Sequence, residues 1–274
     1  MFWQSYLPQA TIFSFGPLVL RWYGLLLVLA IIFAVYYALF KAKNKPTVAT
    51  EHLDSLFFYL LIFGIIGARL YHVLFFSWGY FSHNLLDIFK IWQGGLAIQG
   101  AILASILVIY FWTRQDLSKQ GKKYFLSFWQ ISDWLAPALA LGQFLGRWAN
   151  YFNQELYGLP SKMWFAIPIE YKNRVAGFEQ FTHFQPTFFY ESILNLLSFG
   201  FLVFLVRKKV KPGLVTLVYL ANYSLIRFFL EFVRIDPAPM FLAWRLPQVI
   251  SLGVFFIVIL YILFFQSPAL AKDK

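Results

Sequence analysis

Long apolar runs separated by short lysine-bearing loops constrain this chain more than any other feature. Each run comes close to the roughly 20 residues that a helix needs to cross a hydrocarbon core of about 30 Å. The runs lack the period-2 and period-3.6 stripes of elements that are half in water, so their outer surfaces suit lipid. A water-soluble fold could not hide a 274-residue sequence that is 60% hydrophobic and 13% charged, when an ordinary soluble domain carries about 25% charge. The pattern predicts an all-α membrane protein with about seven transmembrane helices, at 18–40, 56–76, 93–113, 127–146, 188–206, 213–232 and 246–265. The first run reads as a retained helix, because no basic residue precedes Arg21 and no small-x-small cleavage site closes a short apolar stretch.

The basic residues orient the chain. Lys41, Lys43 and Lys45 lie in loop one, Arg114, Lys119, Lys122 and Lys123 in loop three, Arg207, Lys208, Lys209 and Lys211 in loop five, and Lys272 and Lys274 after the last run. By the positive-inside rule these are cytoplasmic, so the N-terminus is outside, the C-terminus is inside and the number of crossings is odd. The opposite side mixes Lys90, Arg147, Lys162, Lys172, Arg174, Arg227, Arg234 and Arg245 with the carboxylates Asp87, Glu155, Glu170, Glu179, Glu191, Glu231 and Asp236. Residues 147–187 make the one long connection, rich in Gly and Pro, and read as a small extracytoplasmic segment within a single transmembrane domain, 1–274. The formal charge of +11 sits in loops that set topology, which argues against nucleic acid as a partner. The absence of cysteine excludes disulfides, thiolate metal sites and a covalent enzyme thiol.

Polar residues stand out against this background. Tyr223, Arg227, Glu231 and Arg234 share one face at the end of the sixth run. An arginine in an apolar helix faces the interior and has a partner or a ligand, so an internal Arg227–Glu231 pair that locks packing and a binding role both fit. Gly146-Arg147-Trp148-Ala149-Asn150-Tyr151-Phe152-Asn153-Gln154-Glu155-Leu156-Tyr157-Gly158 places more polar groups at a membrane edge than helix capping requires. Trp92-Gln93-Gly94-Gly95-Leu96-Ala97-Ile98-Gln99-Gly100 brings glycines to the third run, for close approach of a helix or a ligand. Arg21-Trp22-Tyr23-Gly24 has the look of an aromatic belt, and Arg21 and Arg69 snorkel or find partners. Guanidinium groups bind phosphate oxygens bidentately and stay charged in low dielectric. No Ser-His-Asp set, Gly-rich phosphate loop, metal-ligand cluster or cofactor motif is present in the sequence.

Together these segments resemble the bacterial prolipoprotein diacylglyceryl transferases. The 146–158 block is similar to that family's signature G-R-x-G-N-F-x-N-x-E-x-x-G, with Ala149 where glycine and Tyr151 where phenylalanine is usual. Phe13-Ser14-Phe15-Gly16-Pro17, Gly67-Ala68-Arg69-Leu70, Gln185-Pro186-Thr187-Phe188-Phe189-Tyr190-Glu191, the stretch from Arg227 to Arg234, and Leu246-Pro247-Gln248 extend the resemblance over most of the chain.

The resemblance implies an enzyme of the bacterial cytoplasmic (inner) membrane, active near the extracytoplasmic face and needing no metal or cofactor. It would move the diacylglyceryl group of phosphatidylglycerol to the lipobox cysteine of prelipoprotein signal peptides. It assigns catalysis to Arg147, Arg227, Glu155 and Tyr223, and substrate binding to Tyr23, Gln99, Asn150, Asn153, Gly158, Glu231 and Arg234. Arg147 and Arg227 would hold the phosphate, the two asparagines would orient the head group, and Glu155 and Glu231 would fix the arginines. Gln99 stands where family members carry a histidine thought to deprotonate the thiol, and Gln185 where a histidine often precedes the proline. Glutamine is no base near pH 7. Three readings follow: the arginine field activates the thiol, a histidine such as His72 or His183 substitutes, or the protein binds lipid without turnover. A multi-pass lipid transporter is the alternative from another class, although no internal repeat supports it.

Overall fold

The computed structural model describes residues 2–16, 18–43, 50–114, 126–208 and 210–265. Its helices are α1 (Phe2–Ser5), α2 (Trp22–Lys43), α3 (Thr50–Tyr71), α4 (Trp78–Phe81), α5 (Ile98–Arg114), α6 (Phe128–Asn153), α7 (Thr187–Arg207), α8 (Leu214–Leu230) and α9 (Leu246–Phe265). Among the described residues three two-stranded antiparallel hairpins accompany them: β1 (Thr11–Phe15) with β2 (Leu18–Arg21), β3 (Ile167–Pro168) with β4 (His183–Phe184), and β5 (Met240–Phe241) with β6 (Trp244–Arg245). Stretches within Trp22–Phe40, Leu53–Phe76, Thr187–Arg207 and Leu246–Phe264 are long and apolar enough to cross a membrane, and α5 and α8 are shorter apolar helices. A mostly helical membrane protein is therefore what the sequence folds into. The orienting residues Lys45, Lys119, Lys122, Lys123, Lys209, Lys272 and Lys274 lie outside the described residues.

Some boundaries differ from expectation for local reasons. The helix of the first expected span, α2, starts at Trp22, not at residue 18, because Leu18–Arg21 pairs with Thr11–Phe15 across a turn at Gly16, whose φ is +55°. The third expected span starts at Ile98 rather than 93, because Gly94 and Gly95 adopt φ of +92° and +75°, which a helix cannot accommodate. The 147–187 connection is helical as far as Asn153, and beyond it carries only the short β3–β4 hairpin and a 3-10 turn at Tyr171–Asn173 before α7.

The chain forms two compact units, one of residues 39–131 and one of residues 1–38 and 132–274. In the smaller unit α3 crosses α5 at Gly67 and Gly100. A Cβ on Gly67 would meet the Ala104 Cβ at 2.5 Å and the Gly100 carbonyl oxygen at 2.6 Å, so the crossing depends on two residues without side chains. Arg69, buried at the end of α3, donates to the carbonyls of Asp87 (2.6 Å), Ile88 (2.8 Å), Gly94 (2.7 Å) and Gly95 (3.0 Å). Its guanidinium also lies over the Phe81 ring at 4.9 Å. A single arginine thereby ties the 85–95 connection to the helix before it through four backbone carbonyls.

In the larger unit α7 has its polar face inside. Glu191, Asn195, Ser198 and Leu202 are buried, whereas Ile193, Leu197, Phe201 and Phe204 are exposed, the arrangement of a helix whose outer solvent is lipid. Lower in the unit, Ala136, Ala140, Leu202, Val215 and Tyr219 make an apolar cluster that sets α6, α7 and α8 together. The start of α8 is capped from α6: Asp133 accepts from the Gly213 N–H at 2.6 Å, and from the Thr216 N–H and hydroxyl at 2.8 and 2.7 Å. A carboxylate there satisfies orphan amides and complements the helix dipole. Pro137 sits one turn on, inside α6.

Candidate functional site

The C-terminal end of α6 presents Arg147, Asn150 and Asn153 in successive turns of one helix. Arg147 Nη2 pairs with Glu191 Oε1 of α7 at 2.6 Å, and Arg147 Nη1 reaches Asn150 Oδ1 at 3.5 Å. Asn150 Nδ2 donates to Glu155 Oε1 at 2.8 Å, and Asn153 Nδ2 to the same oxygen at 3.3 Å. The carboxylate on Arg147 comes from the facing helix, and Glu155 acts on the asparagines, because the chain turns away from α6 after Asn153.

That turn is unusual. Gln154 and Leu156, on either side of Glu155, adopt φ of +54° and +56°, a left-handed conformation that side chains with a Cβ adopt at a cost. Gln154 is held there by its side chain, whose Nε2 donates to the Pro8 carbonyl at 2.7 Å and whose Oε1 accepts from the Glu170 N–H at 2.7 Å. Glu155 itself is exposed. Gly158 is buried against Val233 and Thr187, with no space for a Cβ, and its N–H donates to the Gln185 carbonyl at 2.9 Å. Leu159 N–H donates to the Val233 carbonyl at 2.9 Å. Gly158 thus brings the 156–160 segment onto the end of α8.

The second cluster lies at that end. Arg227 Nη2 pairs with Glu231 Oε2 at 3.0 Å, and Arg245 Nε pairs with Glu231 Oε1 at 3.0 Å. Glu231, with a side chain 1% exposed, thus sits between two guanidinium groups, one on each oxygen. Arg234 Nε donates to Asp236 Oδ1 at 2.7 Å, and Arg245 donates to the carbonyls of Arg234 and Asp236. Burial works against the Arg234 charge, but the Asp236 hydrogen bond and the fields of Asp236, Glu231 and Glu191 outweigh it and hold the guanidinium protonated above its ordinary range. Arg234 feels both Glu231 and Glu191, so the clusters at the ends of α6 and α8 share one electrostatic neighbourhood.

The expected residues divide accordingly. Arg147, Asn150, Asn153 and Glu155 form one connected set, and Arg227, Glu231 and Arg234 belong to the other. Tyr223, one turn before Arg227, stacks on Tyr219 at 6.3 Å between ring centroids, and Tyr219 in turn feels the charge of Arg147. Tyr23 is exposed in the first turn of α2, next to Trp22, which stacks on Phe152 at 4.5 Å. Gln99 is exposed in the first turn of α5 in the smaller unit. Of the histidines weighed as substitutes, His72 contacts Ser77 Oγ at 3.3 Å, and His183 contacts Thr182 Oγ1 at 2.8 Å and the Gln4 carbonyl at 3.1 Å. Glu191, Arg245 and Asp236 were absent from the expected set. A carboxylate such as Glu191 within an apolar run is a signal that could have found it.

Chemically, four arginines facing three largely buried carboxylates make a site that favours an anion. Each guanidinium has five N–H donors, and Arg147 and Arg227 each commit one nitrogen to a carboxylate and keep others for a ligand. An apolar cleft of about 210 Å³ lined by Trp164, Phe165, Pro186, Phe188, Phe189 and Tyr190 opens near the start of α7.

Comparison with known proteins matches residues 10–264 to the family model described as prolipoprotein diacylglyceryl transferase. A Synechocystis protein named phosphatidylglycerol–prolipoprotein diacylglyceryl transferase is 36% identical, covering 100% of this chain and 96% of its own. Proteins of the same name from Acaryochloris marina and Parasynechococcus marenigrum are 39% and 37% identical, covering 89% and 84% of this chain and 86% and 81% of their own.

Proposed function

The chain belongs to the prolipoprotein diacylglyceryl transferase family, and from that membership we propose that it transfers the diacylglyceryl group of phosphatidylglycerol to the lipobox cysteine thiol of prelipoproteins. In this reaction the sulfur attacks the glyceryl carbon next to the phosphate. A carbon–sulfur bond forms, the carbon–oxygen bond to phosphate breaks, and glycerol phosphate departs with the electron pair while the thiol gives up its proton.

The observation that carries the reading is the pair of arginines on α6 and α8, each held by a buried carboxylate and each with donors to spare. Arg147 and Arg227 take the phosphate oxygens and stabilise the charge that grows there as the bond breaks. Glu191 and Glu231 position them. Asn150, Asn153 and Glu155 orient the head group, with Tyr23, Tyr223 and Arg234 around it. Only a few per cent of a free thiol is ionised at neutral pH, so the arginine field supplies part of the activation by favouring thiolate. Gln99 lacks the acid–base chemistry for that step.

For the membrane arrangement, α2, α3, α5, α6, α7, α8 and α9 support seven crossings of the bacterial cytoplasmic membrane. The N-terminus is outside, the C-terminus inside, and the site lies near the extracytoplasmic face. α6 reaches the required length with 26 residues, and its polar side chains are those of the site and of the Asp133 cap.

The test is transfer of labelled diacylglyceryl from phosphatidylglycerol to a lipobox peptide by the purified protein, beside Arg147→Ala, Arg227→Ala and Gln99→His. Transfer that disappears with either arginine is the expected result. A silent parent revived by Gln99→His would indicate a lipid-binding homologue that has lost its chemistry, the reading that Gln99 favours. Retained transfer in both arginine variants would overturn the assignment.

A further inference from the structure

One turn beneath the arginines, the larger unit holds polar groups that phosphate binding does not use. Gln143 precedes Arg147 by one turn of α6, and Asn195 follows Glu191 by one turn of α7. The helices run antiparallel, since Arg147 meets Glu191 while Ala136 and Ala140 cluster with Leu202. Gln143 and Asn195 therefore fall in the same layer. Tyr219 of α8 joins it by a hydrogen bond with Gln143, and Asn222 donates to Ser198 at 3.3 Å on the α7–α8 side. The apolar cluster of Ala140, Leu202 and Val215 lies below.

Two buried atoms in this layer have no hydrogen-bond partner among the described residues: Asn195 Nδ2 and Gln143 Oε1. Asn195 is 1% exposed. Buried polar atoms in folded proteins are nearly always paired, and an orphan calls for an explanation such as a ligand.

Resting on the reading of the protein as a phosphatidylglycerol-dependent transferase, we propose that Asn195 and Gln143 form a subsite for the ester region of the diacylglyceryl group. With the phosphate on Arg147 and Arg227, the glyceryl unit points into the bilayer, and its ester carbonyls lie about one helical turn, 5.4 Å, deeper. Asn195 Nδ2 donates to one ester carbonyl. Gln143 Oε1 is an acceptor like the ester oxygen, so the second carbonyl is met through a bridging water that donates to both. A neutral amide pair suits an uncharged acceptor, whereas the arginines one turn above suit the phosphate. The same layer thereby distinguishes a diester lipid from one with the same head group and no carbonyls.

The experiment compares KM for dioleoyl phosphatidylglycerol with KM for its dialkyl ether analogue, which carries the same phosphate and the same reacting carbon. The full-length protein and a lipobox peptide are used, with wild type beside Asn195→Leu. The expected result is a preference for the ester lipid of about threefold to tenfold, the worth of one hydrogen bond, which falls at least about twofold in Asn195→Leu because the ester lipid loses its direct donor and keeps only the contact with Gln143. A wild-type preference below about twofold would overturn the subsite and leave these atoms to water, and that arm stands even if the variant does not fold. A preference that falls by less than about twofold in a folded Asn195→Leu would overturn it too. Absence of transfer from either lipid by wild type would overturn the transferase reading and this subsite with it.

Discussion

Arg147 of α6 and Glu191 of α7 meet at 2.6 Å, with the carboxylate side chain 3% exposed. The ion pair therefore fastens two helices at the level of the proposed phosphate site. Glu191→Gln leaves a largely buried guanidinium without its counter-charge, a change that costs about 3–5 kcal/mol. Thermal unfolding in detergent is expected to show that loss. Transfer should fall with it, because the arginine is then free to leave its productive orientation.

Glu231 serves two arginines at once, Arg227 and Arg245, each at 3.0 Å. Removing members of one network is not additive, and coupling of about 0.5–3 kcal/mol is usual. The double variant Glu231→Gln with Arg245→Met is expected to be less destabilised than the sum of the single changes, since each single change leaves a buried partner unsatisfied. Additive losses in a double-mutant cycle would mean that Arg245 does not depend on Glu231.

The α3–α5 crossing gives a steric prediction. Gly100→Ala places a methyl group against the Gly67 carbonyl and the Tyr71 side chain, and overpacking of this kind costs about 1–3 kcal/mol. Gly79, in α4 of the same unit, has open space around its Cβ position, so Gly79→Ala should change stability by less than about 0.5 kcal/mol. Melting of the two variants side by side checks the difference.

What was legible in the sequence follows the physics of each signal. The apolar runs revealed helices because lipid imposes composition over about 20 residues at a time. The 146–158 block and the α8 arginines stood out because charge in such runs is costly. Glu191 escaped the expected set because its partner lies 44 positions away and no helical spacing links α6 to α7. Gln154 was counted as one polar residue among several, when its work is to hold a left-handed turn through contacts with Pro8 and Glu170, which no local pattern encodes. Gly158 was expected at the substrate, and its buried position against Val233 and Thr187 is one that only the folded chain reveals.

Asp87, in the connection after α4, gives a pH dependence. Hydrogen bonds from Lys90 and Tyr80 hold its carboxyl below the usual range, with Lys90 Nζ at 2.6 Å and the Tyr80 hydroxyl at 2.5 Å. A depressed carboxylate pKa contributes stability that is present above the unfolded-state value and lost as pH falls through the folded one. The protection of amides across residues 80–91, their exchange corrected for its intrinsic pH dependence, is therefore expected to fall as pH drops below the ordinary Asp range. Asp87→Asn should exchange faster at neutral pH and lose most of that acid dependence.

Gln154 combines two opposing effects that one substitution separates. Its left-handed backbone is strained by about 1–3 kcal/mol for a residue with a Cβ, and its side chain satisfies the Pro8 carbonyl and the Glu170 amide, each worth about 1–3 kcal/mol if left buried and unpaired. Gln154→Gly relieves the strain but loses both bonds, so a net destabilisation of about 1–3 kcal/mol is expected. Gln154→Ala keeps the strain and loses the bonds, and should be worse by about 1 kcal/mol. Because this turn presents Glu155 to Asn150 and Asn153, both variants should raise KM for phosphatidylglycerol more than they lower kcat. If Gln154→Gly proves as stable as wild type, the side-chain bonds do not hold the turn.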